Sequence, residues 1–185
     1  MHLLTTALAG LFLLSGAGSA QAATTSPVLQ APIEPAYTVS MTAYNAVKSQ
    51  TDDDPFITAS GAYSNPNIVA ARSIDLASKL PFGTVIAIES ATSSRSCGYG
   101  AVGSLIGLRV IADSMNAKMR DKIDILLPQK ETIAKGRIEN PALVLGVCKD
   151  VTIKVVGHID TANMPTTQSE LADDLDFAGT LADAN

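Results

Sequence analysis

The chain is poor in several residue types on which specialised protein classes depend. It has no Trp, an aromatic content of 4%, and 13 Lys and Arg against 18 Asp and Glu, so its formal net charge is −5. A nucleic-acid-binding domain normally carries a basic face, and this acidic balance therefore argues against a nucleic-acid partner. The hydrophobic content of 46% is ordinary for a globular chain and excludes wholesale disorder.

One apolar run stands out, and it lies at the amino terminus. Leu3 to Leu14 has the length of a signal-peptide core and is too short to span a bilayer comfortably. Small residues follow, and Ala20-Gln21-Ala22 offers a cleavage site before Ala23. We therefore predict a signal peptide over residues 1–22 and an exported protein, periplasmic or extracellular. No Cys follows the run, so no lipid anchor is predicted; a buried N-terminal helix is the alternative.

Cysteine and histidine are also scarce. The two Cys, Cys97 and Cys148, have no C-x-x-C spacing, and one His, His158, remains outside the signal peptide. These residues cannot assemble a zinc site, so we predict no metal and no cofactor. In an oxidising compartment the two Cys are expected to pair. A Cys97–Cys148 disulfide would stabilise the fold by about 4 kcal/mol in the chain-entropy model.

Turn residues divide the rest of the chain into short segments. Residues 23–36 hold three prolines among small polar residues, which is typical of a linker. Residues 37–159 form the predicted domain, and its apolar or alternating segments of strand length favour a mainly β fold. The predicted strands are Tyr37–Tyr44, Ile68–Ala71, Thr84–Glu89, Leu105–Ala112, Lys122–Leu127 and Val151–Ile159.

The segments between and after these strands are polar. We predict long loops over Asn45–Asn67 and Ser90–Gly103, and a helical turn over Glu131–Lys135. Residues 160–185 carry six acidic and no basic residues, which indicates a solvated acidic tail. Within it, Ser169–Phe177 is a marginal helix at most.

A weak internal similarity links two predicted strands. Ala77-x-x-Leu80-x-x-Gly83 followed by the letters TVIAI is similar to Leu143-x-Leu145-Gly146 followed by VTIKV. Two related halves fit a small barrel closed by pseudo-symmetric strand pairs, which leaves no sheet edge exposed. Chance similarity between two β segments is the alternative.

Carboxylates are the main candidate catalytic groups. The chain has no G-x-S-x-G turn and no Gly-rich phosphate loop before a helix, and His158 lies in a strand-like run where a satisfied or surface histidine is the simpler explanation. Asp113 ends a strongly apolar strand, and Asp124 lies inside another. Desolvation at such a strand end raises the pKa of a carboxyl toward the range of a general acid. An Asp that caps a turn is the alternative.

Five short motifs follow one another along the predicted domain. They are Met41-Thr42-Ala43-Tyr44, Thr58-Ala59-Ser60-Gly61, Leu80-Pro81-Phe82-Gly83-Thr84, Ala112-Asp113-Ser114-Met115-Asn116 and Lys122-Ile123-Asp124-Ile125. In order and spacing, over Thr38 to Val156, they resemble the three-aspartate domain family. Its members are double-psi β-barrels related to rare lipoprotein A and to the catalytic barrel of membrane-bound lytic transglycosylase A. The resemblance implies a six-stranded double-psi β-barrel with one or two short helices.

The resemblance also implies an activity, the lytic cleavage of peptidoglycan glycan strands between MurNAc and GlcNAc. In such barrels the Asp that ends the strand before a turn is the catalytic acid and base, and that position is Asp113. The next family aspartate matches Asp124, whereas the first has only a weak match, Asp75. Asp113 would protonate the glycosidic oxygen and then deprotonate the MurNAc C6 hydroxyl, which attacks C1 and gives a 1,6-anhydro product.

The other candidate site residues are substrate contacts. Thr58, Ser60 and Gly61 are predicted to touch the sugar, and Tyr44 is a candidate platform, with core packing as the alternative. The chain departs from the family at the turn after Asp113, where Ser114-Met115 replaces the usual glycines or Arg. Glycines there would let substrate approach the backbone closely.

Two other functions are compatible with the same residues. One is a non-catalytic barrel that binds glycan or a partner, as expansin-like and barwin-like relatives of the fold do; the poverty in aromatic residues disfavours it. The other is a hydrolase with two carboxylates, Asp113 with Asp124 or Asp54. Fold alone does not decide between them, because function belongs to the site.

Overall fold

A computed structural model describes residues 35–51, 54–91, 97–133 and 136–183. The predicted signal peptide, residues 23–34 of the predicted linker, residues 92–96 of the predicted loop at Ser90–Gly103 and the last two residues lie outside this part of the chain.

The described residues are organised mainly as β-strands. The strands are β1 Ala36–Tyr44, β2 Val69–Arg72, β3 Thr84–Ala91, β4 Arg109–Ser114, β5 Lys122–Leu126, β6 Lys130–Ile133, β7 Gly136–Glu139 and β8 Cys148–His158. The helices are α1 Tyr99–Val102, α2 Pro141–Leu145 and α3 Gln168–Asp183. None of these helices has the length and hydropathy that spanning a membrane requires.

Six strands close into a barrel in the order β1-β5-β2-β4-β3-β8. The pairs β1–β5 and β2–β4 are parallel, and the other four are antiparallel. Each of these six pairs joins one strand of the set β1, β2, β3 to one strand of the set β4, β5, β8. The strand order and the positions of the two parallel pairs are unchanged when β1 exchanges with β4, β2 with β5 and β3 with β8. This arrangement confirms the predicted mainly β fold with a six-stranded double-psi barrel.

The internal similarity of the sequence falls on two strands that this exchange relates, β3 and β8. They pair antiparallel, with Ile86 opposite Val155, Ala87 opposite Lys154 and Ile88 opposite Ile153. Ala87 and Lys154 are the fourth residues of the two similar segments. The segments therefore pair with each other symmetrically about the Ala87–Lys154 pair. Both must therefore satisfy the same register and present their apolar residues to the same core.

The barrel wall separates two clusters of buried apolar residues, and β2 is buried along its whole length. One fully buried cation, Arg109 of β4, crosses this region. Its Nη1 donates hydrogen bonds to the carbonyl oxygens of Pro66 (2.8 Å) and Leu126 (3.1 Å), and its other nitrogens bond the carbonyls of Leu105 and Ile106. A buried charge needs such partners, and here they attach the chain before β2 to the end of β5.

The predicted disulfide is confirmed. Cys97 and Cys148 are bonded, with their Cα atoms 5.3 Å apart. The bond connects the segment after β3 to the first residue of β8, where Cys148 is fully buried. It therefore attaches the connection between β3 and β4 to the start of the last barrel strand.

Two predicted elements of the second half are different in the structure. The strand predicted over Leu105–Ala112 begins only at Arg109, because a 3₁₀ turn and Gly107, with φ of +53°, precede it. The helical turn predicted over Glu131–Lys135 is wrong for Glu131–Ile133, which lie in β6 and pair antiparallel with β7; residues 134–135 lie outside the described part of the chain. On the surface of this strand pair, Glu139 of β7 forms ion pairs with Lys130 of β6, across the strands, and with Arg137 of β7 itself.

The segment predicted as an acidic tail contains α3, whose start packs on the barrel. Leu171 is fully buried, and Leu175, one turn later, contacts the same cluster. The Gln168 side chain bonds both the backbone N–H (2.9 Å) and the carbonyl (2.8 Å) of Leu108. Apolar residues at i and i+4 suffice to attach this helix although its other face is acidic.

Candidate active site

A groove of about 540 Å³ opens beside the ends of β1, β4 and β5. Its floor carries both predicted catalytic residues, and its walls come from the chain between β1 and β2 and from the turn between β4 and β5. The lining residues are Tyr44, Gln50, Thr51, Ile57, Ala59, Ser64, Ala71, Asp113, Ser114, Met115, Asn116, Met119 and Asp124.

Asp113 is held at the end of β4 by three hydrogen bonds. Its Oδ2 accepts one from the Tyr44 hydroxyl (2.9 Å), and its Oδ1 accepts from the backbone N–H groups of Ala59 (3.0 Å) and Ser114 (2.8 Å). Tyr44 and Ala59 are distant in the chain and Ser114 is the next residue of β4, so tertiary contacts and the local backbone together orient the carboxyl. The side chain is partly exposed and is open to a ligand in the groove.

Asp124 lies deeper, inside β5. Its Oδ1 accepts a hydrogen bond from the hydroxyl of Thr42 (2.7 Å), its register partner on β1. Burial raises the pKa of Asp124 from 3.8 to about 6, and the nearby Asp113 carboxylate acts in the same direction, whereas the Thr42 hydrogen bond opposes the shift. A proton on this carboxyl therefore titrates close to neutral pH.

The two carboxyls flank one small residue, Ala71 of β2. Ala71 is opposite Asp113 on one side and opposite Asp124 on the other. Because side chains at directly opposite positions share a face of the sheet, both carboxyls face the groove, with their Cα atoms about 10 Å apart across two strand spacings. The methyl group of Ala71 leaves open the space between them.

The hydroxyls that orient these acids lie two residues apart on β1. Thr42 and Tyr44 share a face of the strand because side chains alternate, and each donates to a different carboxyl. Tyr44 is 8% exposed and belongs to the second apolar cluster, so its ring packs in the core while its hydroxyl reaches Asp113. Burial and the Asp113 charge raise the pKa of Tyr44 above its usual value, which keeps the hydroxyl protonated.

The predicted sugar-contacting residues Thr58, Ser60 and Gly61 form the tip of a small hairpin over residues 56–64. Gly61 has φ of +85° and donates to the Thr58 carbonyl (2.9 Å), as a three-residue hairpin loop with glycine in the left-handed region requires. The Thr58 hydroxyl is buried and bonds Ser60 Oγ and the Ala62 carbonyl. These hydroxyls hold the loop, and Ala59, between them, lines the groove.

The other two carboxyls considered from the sequence lie elsewhere among the described residues. Asp75 is exposed and accepts a hydrogen bond from the Asp121 backbone (3.0 Å); bonds from Ser73 and Asp121 lower its pKa. Asp54 Oδ1 accepts from the Phe56 backbone N–H (3.0 Å), as in a turn. Neither lines the groove.

Sequence reasoning did not identify three contributors to this site. Thr42 stands in a motif quoted for the family resemblance, but only the strand register shows that its hydroxyl reaches Asp124. Ala59 contributes a backbone N–H, and Ala71 contributes space, and neither role has a side-chain signature. The turn Ser114 to Asn116, directly after Asp113, forms part of the groove wall.

The described residues contain no cluster of three or more His, Cys, Asp and Glu that could bind a metal ion. No protein-family model matches the chain, and no curated protein matches it in sequence. The fold and the site define the class: a six-stranded double-psi β-barrel with two oriented carboxyls on the floor of one open groove.

Proposed function

We propose that this protein is an exported lytic transglycosylase that cleaves the MurNAc–GlcNAc β-1,4 bond of peptidoglycan glycan strands. The observation that carries the proposal is Asp113: a groove-facing carboxyl, fixed by three hydrogen bonds at the end of an apolar strand. The motif order that resembles the three-aspartate family supports the substrate class. The disulfide fits export, because such bonds persist in oxidising compartments.

In this mechanism Asp113 acts as acid and then as base. The protonated carboxyl gives its proton to the glycosidic oxygen as the C1–O bond breaks. The resulting carboxylate takes the proton of the MurNAc C6 hydroxyl, whose oxygen bonds to C1, so no water is consumed and Asp113 ends protonated again. The Tyr44 hydroxyl donates to Oδ2 and so orients the carboxyl, which leaves the proton of the acid free to reach the glycosidic oxygen.

Asp124 supports this chemistry through its charge. With a pKa of about 6, it is largely ionised at neutral pH and places a negative charge beside the groove, where positive charge develops on the sugar in an oxocarbenium-like transition state. Thr42 keeps this carboxylate oriented.

The same two carboxyls favour a second candidate, a hydrolase that uses both of them. Asp124 is buried with a raised pKa, and Asp113 faces the same groove across Ala71, so an acid and a base with room for water between them are available. Hydrolysis leaves a reducing end, whereas the lytic reaction leaves a 1,6-anhydro end. The product therefore separates the two mechanisms.

The deciding experiment is mass spectrometry of purified sacculi digested with the protein. Anhydro-muropeptides, absent when Asp113→Asn protein is used, are the expected result. Reducing muropeptides released by the parent and not by the variant would replace the proposal with the hydrolase. An unchanged digest, together with sedimentation of the protein with sacculi, would leave the non-catalytic binding barrel as the function.

A further inference from the structure

The hairpin over residues 56–64 places two large side chains together at the edge of the groove. Ile57 and Tyr63 form an antiparallel bridge. The flanking bonds, from Thr58 N–H to the Ala62 carbonyl and from Ser64 N–H to the Phe56 carbonyl, are both 2.8 Å. This pattern makes Ile57 and Tyr63 a non-hydrogen-bonded pair, in which side chains approach most closely and lie on the same face.

Much of this apolar pair is exposed to solvent. The Tyr63 side chain is 63% exposed and that of Ile57 46%. Ile57 lines the groove, and Tyr63 stands beside it. A contiguous exposed apolar surface next to a polar cavity is characteristic of a ligand-binding edge.

The pair is held in a fixed position relative to Asp113. The tip of the same hairpin donates from Ala59 N–H to Asp113 Oδ1 and from Ser60 N–H to the Ala112 carbonyl, both at 3.0 Å. A ligand that packs on the pair is therefore placed in register with that carboxyl.

The chemistry of the groove limits what this ligand is. Asp113 and Asp124 contribute carboxyls, Gln50 and Asn116 contribute amides, and no Lys or Arg is among the described lining residues. An anionic ligand is disfavoured by this set. A neutral sugar ring fits it, because a pyranose has a C–H face that packs on an aromatic ring and hydroxyls that bond carboxyls and amides.

We propose that Tyr63 and Ile57 form a stacking subsite for a neutral pyranose ring of the glycan strand, adjacent to the ring whose bond is cleaved. This inference rests on the proposed function for the identity of the polymer. The subsite aligns the strand along the groove so that the glycosidic oxygen reaches Asp113.

The chain offers a matched control in Phe56. It is 59% exposed, adjacent to Ile57 in the same hairpin, and directed to the opposite face because side chains alternate along a strand. Phe56→Ala and Tyr63→Ala thus remove aromatic rings of similar exposure from the same hairpin, and only the second alters the proposed subsite.

The test is calorimetric titration of a soluble β-1,4-linked N-acetylglucosamine hexamer into Asp113→Asn protein, which keeps the groove without turnover. We expect Tyr63→Ala in this background to weaken binding about tenfold, the size of an aromatic packing contribution. Phe56→Ala and Tyr63→Phe should bind like the parent, since stacking needs the ring and not the hydroxyl. Parental affinity of Tyr63→Ala, equal loss in Phe56→Ala, or failure of the parent to bind the hexamer would overturn the subsite.

The same variants in the otherwise unaltered protein keep the two proposals distinguishable. If Tyr63→Ala digests sacculi with the parental KM while Asp113→Asn is inactive, the lytic function stands and the subsite falls. If the parent releases no muropeptides but the hexamer titration gives the expected pattern, the subsite stands and the lytic function falls.

Discussion

The two halves of the barrel have the same topology but different chemistry. The exchange that relates β1, β2, β3 to β4, β5, β8 maps the parallel pair Thr42–Asp124 onto the pair Asp113–Ala71. Asp113 of the second half thus corresponds to Thr42 of the first, and Asp124 corresponds to Ala71. Both acids belong to the second half.

The first half supplies what these acids need. Thr42 and Tyr44 orient the two carboxyls, Ala71 provides the space between them, and the 56–64 hairpin between β1 and β2 provides a backbone donor. Repeated topology therefore does not imply a repeated site. Because the strands of the two halves alternate around the barrel, each strand of one half has strands of the other half as its neighbours. Residues of both halves therefore contribute to the same site.

The largest effect is expected from removing the acid of the second half that faces the groove. Asp113→Asn keeps size and most hydrogen bonding but removes the titrating proton, so release of anhydro-muropeptides should fall by roughly 10²–10⁴-fold. Circular dichroism should show an unchanged fold. Asp75→Asn, at an exposed carboxyl outside the groove, should keep parental activity. A folded Asp113→Asn protein that releases product at the parental rate would refute the assignment.

The second-largest effect is expected from removing the Cys97–Cys148 disulfide. Replacing both Cys97 and Cys148 with Ser removes a bond across a separation of 51 residues. The free energy of unfolding, measured in urea, should fall by about 4 kcal/mol because the unfolded chain regains the entropy of the open loop. Reduction of the parent protein should reproduce this loss. A change below about 1 kcal/mol would show that closing this loop does not stabilise the fold.

The third prediction concerns the buried acid, Asp124. Its pKa is about 6 in the folded state against 3.8 ordinarily, so folding has to bury an ionised carboxyl above pH 6, whereas below pH 3.8 the group is protonated in both states. Asp124→Asn should therefore raise the free energy of unfolding by about 3 kcal/mol at pH 7 to 8. The difference should shrink as the pH falls from 6 and disappear below 3.8.

Asp75 is the control for this titration, because its pKa is shifted in the direction opposite to that of Asp124. Hydrogen bonds lower the pKa of Asp75, so its ionised form stabilises the fold, and Asp75→Asn should lower stability at neutral pH. Unfolding curves across pH for both variants test the pair. A loss of stability in Asp124→Asn at pH 7 would mean that this carboxylate is needed for the fold.

The smallest effect is expected from removing the hydroxyl of Tyr44, the first-half residue that donates a hydrogen bond to Asp113. Tyr44→Phe removes one hydrogen bond, worth about 1 kcal/mol, and should lower kcat about fivefold with little change in KM. Tyr99→Phe, on α1, is the matched control and should behave like the parent. Equal rates for the two variants would show that the other two donors suffice to hold Asp113.

The strands of the barrel are predictable from the sequence because their signals are local, whereas their closure into a double-psi barrel was expected from the family resemblance. Apolar runs identified all six barrel strands within a few residues, and scarcity of cysteine left one pairing for Cys97 and Cys148. The boundary at Arg109 was misplaced because Leu105 and Ile106 are buried or half-buried without being in a strand. Apolar content indicates burial, and burial alone does not distinguish a strand from a packed turn.

The site was predictable only in part, because its geometry arises from register. Asp113 and Asp124 are visible as carboxyls beside apolar runs. That Thr42 faces Asp124, or that Ala71 separates the acids, depends on pairs between strands distant in the chain. Likewise the acidic composition of α3 predicts a solvated tail, whereas Leu171 and Leu175 pack on the barrel and Gln168 bonds Leu108.

The interleaving of the barrel strands has a consequence for how the chain acquires its structure. In the barrel, β1, β2 and β3 do not pair with one another. The sheet therefore cannot begin to form until β4, which starts at Arg109, is available for pairing. The partners of β1 lie farthest along the chain, since they are β5, which begins at Lys122, and β8, which begins at Cys148. Such long-range contacts place folding in the slower range, milliseconds to seconds, and leave apolar strands exposed to aggregation meanwhile. We therefore expect fragments that end before β4 to stay unfolded, and a separately supplied second half to be needed to restore them.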